Sequence, residues 1–364
     1  MAGHSYVCSV CGQRYEPAVD RWRCDCGEPL EFADEPTPDG DSPPALDRDR
    51  GLWAFEELLA VDRQVTLGEG WTPLIDGLDR DVAYKLEWLF PTGSFKDRGA
   101  TATISHALEL GVDRVVEDSS GNAGAAIATY AARAGLDAEI FVPADAKPGK
   151  LRAIERTGAT VRKIEGDRAA VTEACIDAVE GDETSAWYAS HAWNPAFFEG
   201  TATMAYEIAA QRDWTAPDAV VTPLGHGTLF LGAYRGFRRL VDAGWIDEIP
   251  RLYGVQAAGV APIVAERHGE AAAAGSNDLA DGIQITAPAQ QRAIHEAIED
   301  SRGDALVIDA ETTEAEYDRL HRRGLYTEPT CAVAPAAMDD LRERGAISDD
   351  EDVVVALTGS GLKT

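Results

Sequence analysis

One of the chain's six lysines, Lys96, stands in Pro91-Thr92-Gly93-Ser94-Phe95-Lys96-Asp97-Arg98-Gly99, where a turn leads into a helical stretch. A lysine at a helix N-terminus is electrostatically misplaced, because the helix dipole favours anions there. Destabilising the ammonium lowers its pKa, which is what a lysine needs to form a Schiff base or act as a base. The plainer reading is an exposed lysine paired to Asp97. A second turn, Asp118-Ser119-Ser120-Gly121-Asn122-Ala123-Gly124, precedes an alanine-rich helix. Its small residues expose backbone N–H groups at a helix start, a site for an anion such as a carboxylate; Ser120 or Asn122 could equally serve only as an N-cap. A third, Pro223-Leu224-Gly225-His226-Gly227-Thr228-Leu229, offers amides and one hydroxyl that suit a phosphate. It lacks the Gly-Lys-Ser/Thr of a nucleoside-triphosphate loop. His226 could act as a general base, but among glycines its backbone matters more than its imidazole.

Four of the six cysteines lie in the first 26 residues, as Cys8-x2-Cys11 and Cys24-x-Cys26. In a reducing compartment such pairs read as metal ligands before disulfides. Each pair is followed by glycine, Gly12 and Gly27, which permits the tight turn of a zinc-ribbon knuckle. Four thiolates satisfy tetrahedral Zn(II) with no open position, so Cys8, Cys11, Cys24 and Cys26 are expected to hold a structural zinc. The second pair departs from the usual spacing of two or more residues, and free buried thiols are the alternative. Cys175, in a helical pattern, and Cys331 read as small core residues.

The elements that must position these groups alternate. Strands are expected at Val82–Leu86, Arg114–Glu117, Ala138–Val142, Thr160–Ile164, Ala219–Pro223, Leu252–Gln256 and Val353–Leu357. Helices intervene, among them Gly99–Leu110, Asn122–Ala134, Glu199–Gln211 and Glu314–Arg323. Strand and helix in turn argue an α/β fold with mostly parallel sheets, whose ligands bind beyond the carboxyl ends of strands. Residues 34–50 carry Pro36, Pro38, Pro43 and Pro44 among many acids and read as an extended linker. The expected organisation is a zinc-ribbon-like module at 1–33, this acidic linker at 34–50, and a catalytic region at 51–364 with a smaller subdomain at roughly 97–190.

In order along the chain, PTGSFKDRG, SSGN, GHGTL, GLYTEPT and LTGSGLK resemble the pyridoxal-phosphate enzymes of the tryptophan-synthase-β type, or fold type II. Among these, threonine synthases are most similar, from Leu67-Gly68-Glu69-Gly70-Trp71-Thr72-Pro73-Leu74 to the end. An N-terminal cysteine ribbon also occurs in threonine synthases. The resemblance implies a two-domain fold and pyridoxal 5'-phosphate held by Lys96 as a Schiff base, with Lys96 then taking the substrate's α-proton. It implies that Asn122 meets the cofactor's phenolic oxygen and that Gly225, His226, Gly227, Thr228 and Leu229 hold its phosphate. Thr358 would meet the pyridine nitrogen through a neutral hydroxyl, leaving the ring less strongly protonated than a carboxylate partner would. Ser119, Ser120 and Gly121 would bind the substrate carboxylate. Glu328 lies near the ring or is a structural acid.

The pattern departs from threonine synthases where the substrate phosphate needs a cation. After Ala189-Ser190-His191, relatives typically read Asn-Pro-x-Arg; this chain reads Asn194-Pro195-Ala196-Phe197-Phe198-Glu199-Gly200. Where threonine synthases often read Arg-x-Gly-Asn-Pro, it has Ala280-Asp281-Gly282-Ile283-Gln284-Ile285-Thr286-Ala287-Pro288, and Leu279–Ile283 resembles threonine and serine dehydratases, as does GHGTL. Lys147, Lys150 or Arg152 could supply a replacement charge. The expected reaction is O-phospho-L-homoserine and water to L-threonine and phosphate; the alternative is an L-threonine or L-serine dehydratase giving a 2-keto acid and ammonia. A β-replacement by sulfide or sulfite is a further enzymatic option. From another class, a non-catalytic regulator on a retired scaffold is opposed by the presence of Lys96, Asn122 and Thr358.

With 364 residues, 45% hydrophobic and 26% charged, the chain can build a sizeable core in two or three structural units. Its 63 acidic against 33 basic side chains leave a net charge of -30. That field repels nucleic acid phosphates. The acids are spread along the whole chain, which suits a salt-loving host whose counterions screen the self-repulsion. No apolar run approaches the roughly 20 residues of a membrane span, and no secretion signal is recognised at the start, so a cytoplasmic enzyme is expected. Its partner would be a small amino-acid substrate, with no nucleic acid or membrane; a homodimer is common in the family.

Overall fold

The β-branched runs become strands in a computed structural model that describes residues 5–18, 20–36, 38, 42–77, 80–181 and 186–363. By packing, the chain forms two compact units. The first draws on Met1–Pro38, Leu46–Gly70 and Lys96–Thr201, the second on Asp39–Ala45, Trp71–Phe95 and Ala202–Thr364. Of the acidic stretch 34–50, positions 37 and 39–41 lie outside the described residues. Its end, Arg48, begins a 3-10 helical segment, Arg48–Leu58, that buries Leu52, Trp53, Phe55 and Leu58.

In the first unit a four-stranded parallel sheet runs in the order Thr160–Ile164, Asp137–Pro143, Arg114–Glu117, Trp187–Tyr188. Helices Lys96–Glu109 and Asn122–Ala134 pack on one another beside it. Ile104, Ile127, Tyr130, Ile140 and Trp187 share the core beneath them. The N-terminal residues add a small antiparallel sheet, Arg14–Tyr15, Tyr6–Val7 and Glu31–Phe32. Trp22 anchors this ribbon by edge contacts with Tyr188 and Trp193 at centroid distances of 5.2 and 5.1 Å. A second anchor is Tyr6, whose hydroxyl lies 2.5 Å from His106 Nε2 on helix Lys96–Glu109.

The second unit holds a six-stranded sheet in the order Asp304–Ile308, Arg251–Ala257, Ala219–Pro223, Val353–Ala356, Ala83–Lys85, Leu74–Asp76. Only the last pair is antiparallel. Parallel strands covered on both faces read as continuous apolar runs, which is why Ala219–Pro223 and Val353–Ala356 are wholly buried. Helix Pro195–Gln211 starts four residues earlier than its apolar pattern predicts. Pro195 opens it, because a proline at the first helical position forfeits no hydrogen bond. Among the described residues no helix is long and apolar enough to cross a membrane.

Candidate active site

Lys96 is the first residue of helix Lys96–Glu109, half-buried, in the electrostatically adverse position that the sequence implies. Its Nζ lies 5.7 Å from the centroid of the Phe197 ring. Phe197 is wholly buried and presses on Gly99, where a Cβ would come within 2.2 Å of the ring. Gly200 is held as tightly: its Cβ would lie 1.9 Å from the Arg98 carbonyl oxygen. Arg98 itself is fully buried, a feature the motif does not announce.

In the same unit, strand Arg114–Glu117 delivers the turn Ser119–Gly121 to the start of helix Asn122–Ala134. Its N-cap is Gly121, with no side-chain capping bond, so neither Ser120 nor Asn122 is the N-cap. Ser119 Oγ instead accepts from the Gly121 N–H at 3.2 Å. Gly124 lets the helix close onto the turn, since a Cβ there would meet the Ser119 carbonyl oxygen at 1.8 Å. Ser119, Ser120, Gly121 and Asn122 remain half-buried. Small side chains at a helix start with this exposure suit a carboxylate.

Beside the turn sits a pair that the sequence does not reveal. Glu117 Oε1 lies 2.6 Å from His191 Nδ1, and Glu117 Oε2 accepts from the His191 backbone N–H at 3.2 Å. Glu117 is fully buried, and His191 is 4% exposed and touches Phe197 ring to ring at 6.0 Å. Burial, then the neighbouring Asp118 charge, pushes the Glu117 carboxyl well above the ordinary range. The two residues are 74 apart in sequence and meet only because strands Arg114–Glu117 and Trp187–Tyr188 are adjacent.

In the second unit, strand Ala219–Pro223 runs into the glycine loop and helix Thr228–Asp242. Gly227 caps that helix at φ 79°, a left-handed conformation that favours glycine. Gly225 faces Ile283, where a Cβ would lie 3.1 Å from the Ile283 Cα. The Asp278–Ile283 segment therefore walls the loop, which gives the Ala280–Ile283 motif a structural duty. Thr228 and Leu229 are buried at the helix start, and His226 is half-buried. Two buried hydroxyls of the second unit, Ser94 Oγ in the turn that precedes Lys96 and Thr222 Oγ1 near the end of strand Ala219–Pro223, have no hydrogen-bond partner among the described residues. Unmatched buried hydroxyls are costly unless a ligand or water completes them.

Thr358 follows strand Val353–Ala356 and is 5% exposed. Its carbonyl accepts from the Phe95 N–H at 3.1 Å, and Ser94 pairs with Gly359 in an isolated bridge. Glu328 packs on Gly359, where a Cβ would lie 2.3 Å from its carboxylate carbon, and its N–H donates to the Gly359 carbonyl at 3.0 Å. Of the possible replacement cations, Lys147 and Arg152 are exposed, and the Lys150 side chain lies outside the described residues.

The four N-terminal cysteines have their sulfurs within 4.8 Å of one another. Cys8–Cys26 and Cys11–Cys24 are 3.6 and 3.5 Å apart. A tetrahedral zinc with bonds of about 2.3 Å needs sulfurs roughly 3.8 Å apart, so this donor set fits one ion. Gly12 and Gly27 take φ 74° and 92° and close their turns onto the Cys8 and Cys24 carbonyls.

A family described as pyridoxal-phosphate dependent enzyme matches residues 65–359. The chain is 34% identical to a threonine synthase of Methanocaldococcus jannaschii, with 98% of this chain and 92% of that protein covered. It is 36% identical to a threonine synthase of Methanosarcina acetivorans, covering 86% and 80%. Among solved structures, maize serine racemase superposes with a TM-score of 0.67 at 21% identity, covering 80% of this chain and 88% of that one. The processed threonine deaminase isoform 2 of Solanum lycopersicum gives 0.66 at 22% identity, covering 79% of each. Both share the fold.

Proposed function

The chain belongs to the threonine synthase family of pyridoxal-phosphate-dependent enzymes, and we propose that it converts O-phospho-L-homoserine and water to L-threonine and phosphate. The observation that carries this reading is the similarity to the Methanocaldococcus jannaschii threonine synthase over 98% of this chain, combined with Lys96 at the first residue of its helix. The residues fit the cofactor: a lysine at an adverse helix end, an amide-rich loop opening a helix, and the unmatched buried hydroxyls of Ser94 and Thr222.

In this reading Lys96 Nζ binds the cofactor and then holds the proton taken from the substrate's α-carbon. Ser119, Ser120 and Gly121 orient the substrate carboxylate. Gly225, His226, Gly227, Thr228 and Leu229 hold the cofactor's phosphate by amides and the Thr228 hydroxyl. Asn122 meets its phenolic oxygen, and Thr358 its ring nitrogen. The cofactor, when bound, supplies an electron sink at the α-carbon. A structural zinc on Cys8, Cys11, Cys24 and Cys26, a salt-rich cytoplasm and a homodimer belong to the same reading.

Phe197 favours a second reading. A wholly buried ring stands beside the Lys96 amine at the position where relatives typically carry arginine, and this suits an uncharged substrate side chain, as in an L-threonine or L-serine dehydratase. Cofactor-loaded protein incubated with O-phospho-L-homoserine in multimolar salt separates the two. Stoichiometric phosphate and threonine support the synthase. A 2-keto acid and ammonia from L-threonine, with no phosphate release, support the dehydratase.

A further inference from the structure

The two anchors of the ribbon each stand two residues ahead of a cysteine of its cluster, Tyr6 before Cys8 and Trp22 before Cys24. Tyr6 reaches His106 on the helix that Lys96 begins. Trp22 reaches the other site-bearing element of the same unit. It is 8% exposed and shares one apolar cluster with Val116, Phe141, Val171, Cys175 and Tyr188, so a ribbon side chain completes the core against strand Arg114–Glu117. Its indole meets the Tyr188 ring edge-on, at 83° and a centroid distance of 5.2 Å. The Tyr188 hydroxyl in turn donates to Asp118 Oδ1 at 2.9 Å, and Thr172 Oγ1 donates to Asp118 Oδ2. Both carboxylate oxygens of the residue that opens the Ser119–Gly121 turn are therefore gripped from outside the turn. Burial, then the Asp118 charge, pushes the Tyr188 phenol well above its usual range, so it keeps the proton it donates.

We propose that the ribbon is a positioning element of the active site: Trp22 seats the Tyr188 ring, and the Tyr188 hydroxyl holds Asp118 so that the turn after it keeps the shape that receives a carboxylate. This rests on the reading above, in which Ser119, Ser120 and Gly121 bind the substrate carboxylate. Gly121 has no side-chain cap, so the turn depends on the contact between Ser119 Oγ and the Gly121 N–H and on the grip on Asp118 ahead of it. Trp22 and Tyr188 are positioning residues in this scheme, because neither touches the substrate.

L-threonine is the probe, since it is the product in one reading of the function and a substrate in the other, and carries the carboxylate in both. Its affinity for the cofactor-loaded full chain, taken from the initial absorbance change on mixing, is compared with that of 1-amino-2-propanol, the same molecule without the carboxylate. Tyr188→Phe keeps the ring against Trp22 and removes only the bond to Asp118. It is expected to weaken L-threonine about tenfold and 1-amino-2-propanol less than about twofold. Trp22→Leu is expected to act alike and to add little when combined with Tyr188→Phe. Should Trp22→Leu not fold, Trp22→Phe shifts L-threonine the same way by about threefold. Equal weakening of both compounds, full additivity, or no effect at Trp22 overturns the proposal. Amide hydrogen exchange of the cofactor-free chain is a second readout: Ser120, Gly121 and Asn122 should exchange about tenfold faster in Tyr188→Phe, and unchanged rates overturn the hold on the turn. A wild type that binds both compounds equally tightly refutes the carboxylate reading of the turn instead, and the exchange rates still decide whether Tyr188 holds it.

Discussion

The Phe197 ring occupies the space that a Cβ on Gly99 would need, with 2.2 Å between that Cβ and the nearest ring carbons. Helix Lys96–Glu109 and the start of helix Pro195–Gln211 are thus fitted to one another through a missing methyl group. Gly99→Ala is expected to cost about 1–3 kcal/mol by overpacking. Phe197→Ala alone is expected to cost about 3–5 kcal/mol by leaving a cavity. In the Phe197→Ala background the added methyl has room, so Gly99→Ala becomes nearly neutral there. Denaturant unfolding of the four proteins measures the coupling; additive costs would mean that the two residues do not share this space.

Two buried carboxylates of the first unit are expected to bend stability against pH in opposite senses. Burial raises the Glu117 carboxyl, so the folded state holds a proton that the unfolded chain releases. Stability from Glu117 is then fully present below the ordinary carboxylate range and is lost as pH rises toward the raised folded value. Burial would also raise Glu139, but hydrogen bonds from Arg162 and then Arg114 outweigh it and hold the carboxyl below its usual range. That contribution is present above the ordinary range and is lost as pH falls through the folded value. Glu117→Gln should flatten the loss of stability with rising pH, and Glu139→Gln the loss on the acid side. Unfolding midpoints from mildly acidic to mildly alkaline pH check both signs.

Which of these features could be read in advance follows from locality. Arg114–Glu117, Thr160–Ile164 and Ala219–Pro223 stand where their β-branched runs place them, because a parallel strand's pattern is a property of consecutive residues. Trp187–Tyr188 is too short to show a period, and Asp304–Ile308 follows a glycine that packing demands: a Cβ on Gly303 would meet the Leu252 carbonyl oxygen at 1.9 Å. The Lys96, Ser119 and Gly225 turns were visible as strings of small residues at helix starts. Glu117 with His191 was not, because strand order brings them together across 74 residues; nor was Cys331 against Thr358, because the 3-10 helix Pro329–Ala332 carries that thiol to the end of strand Val353–Ala356 only in the folded chain.

The ribbon is expected to bind about one zinc per chain, since its sulfurs offer four ligands and no open position. Cys11→Ser and Cys26→Ser, which alter the exposed members, should each lower zinc content below half of wild type in reduced protein. Chelation should speed hydrogen exchange at Tyr6–Val7 and Glu31–Phe32, whose two-residue strands are too short to hold themselves together. Unchanged exchange after complete metal removal would show that Trp22 and Tyr6 anchor the ribbon unaided.

Lys85 is a buried cation of the second unit. It is wholly buried, and its Nζ donates to Glu207 Oε2 at 2.7 Å, the Thr72 carbonyl at 2.7 Å and Gln211 Oε1 at 2.9 Å. Glu207, equally buried, accepts from the Trp71 N–H at 2.7 Å and the Thr72 N–H at 3.1 Å. Those two bonds hold Trp71 at φ 51°, a conformation that a bulky residue does not adopt without support. Lys85→Met removes the cation while leaving the carboxylate buried, and is expected to cost about 3–5 kcal/mol. Glu207→Leu with Lys85→Met removes both charges and avoids that penalty, but frees the Trp71 and Thr72 amides. The double variant should therefore recover only part of the loss. A full recovery in thermal unfolding would mean that the Trp71 backbone needs no anchor, and that Glu207 serves Lys85 alone.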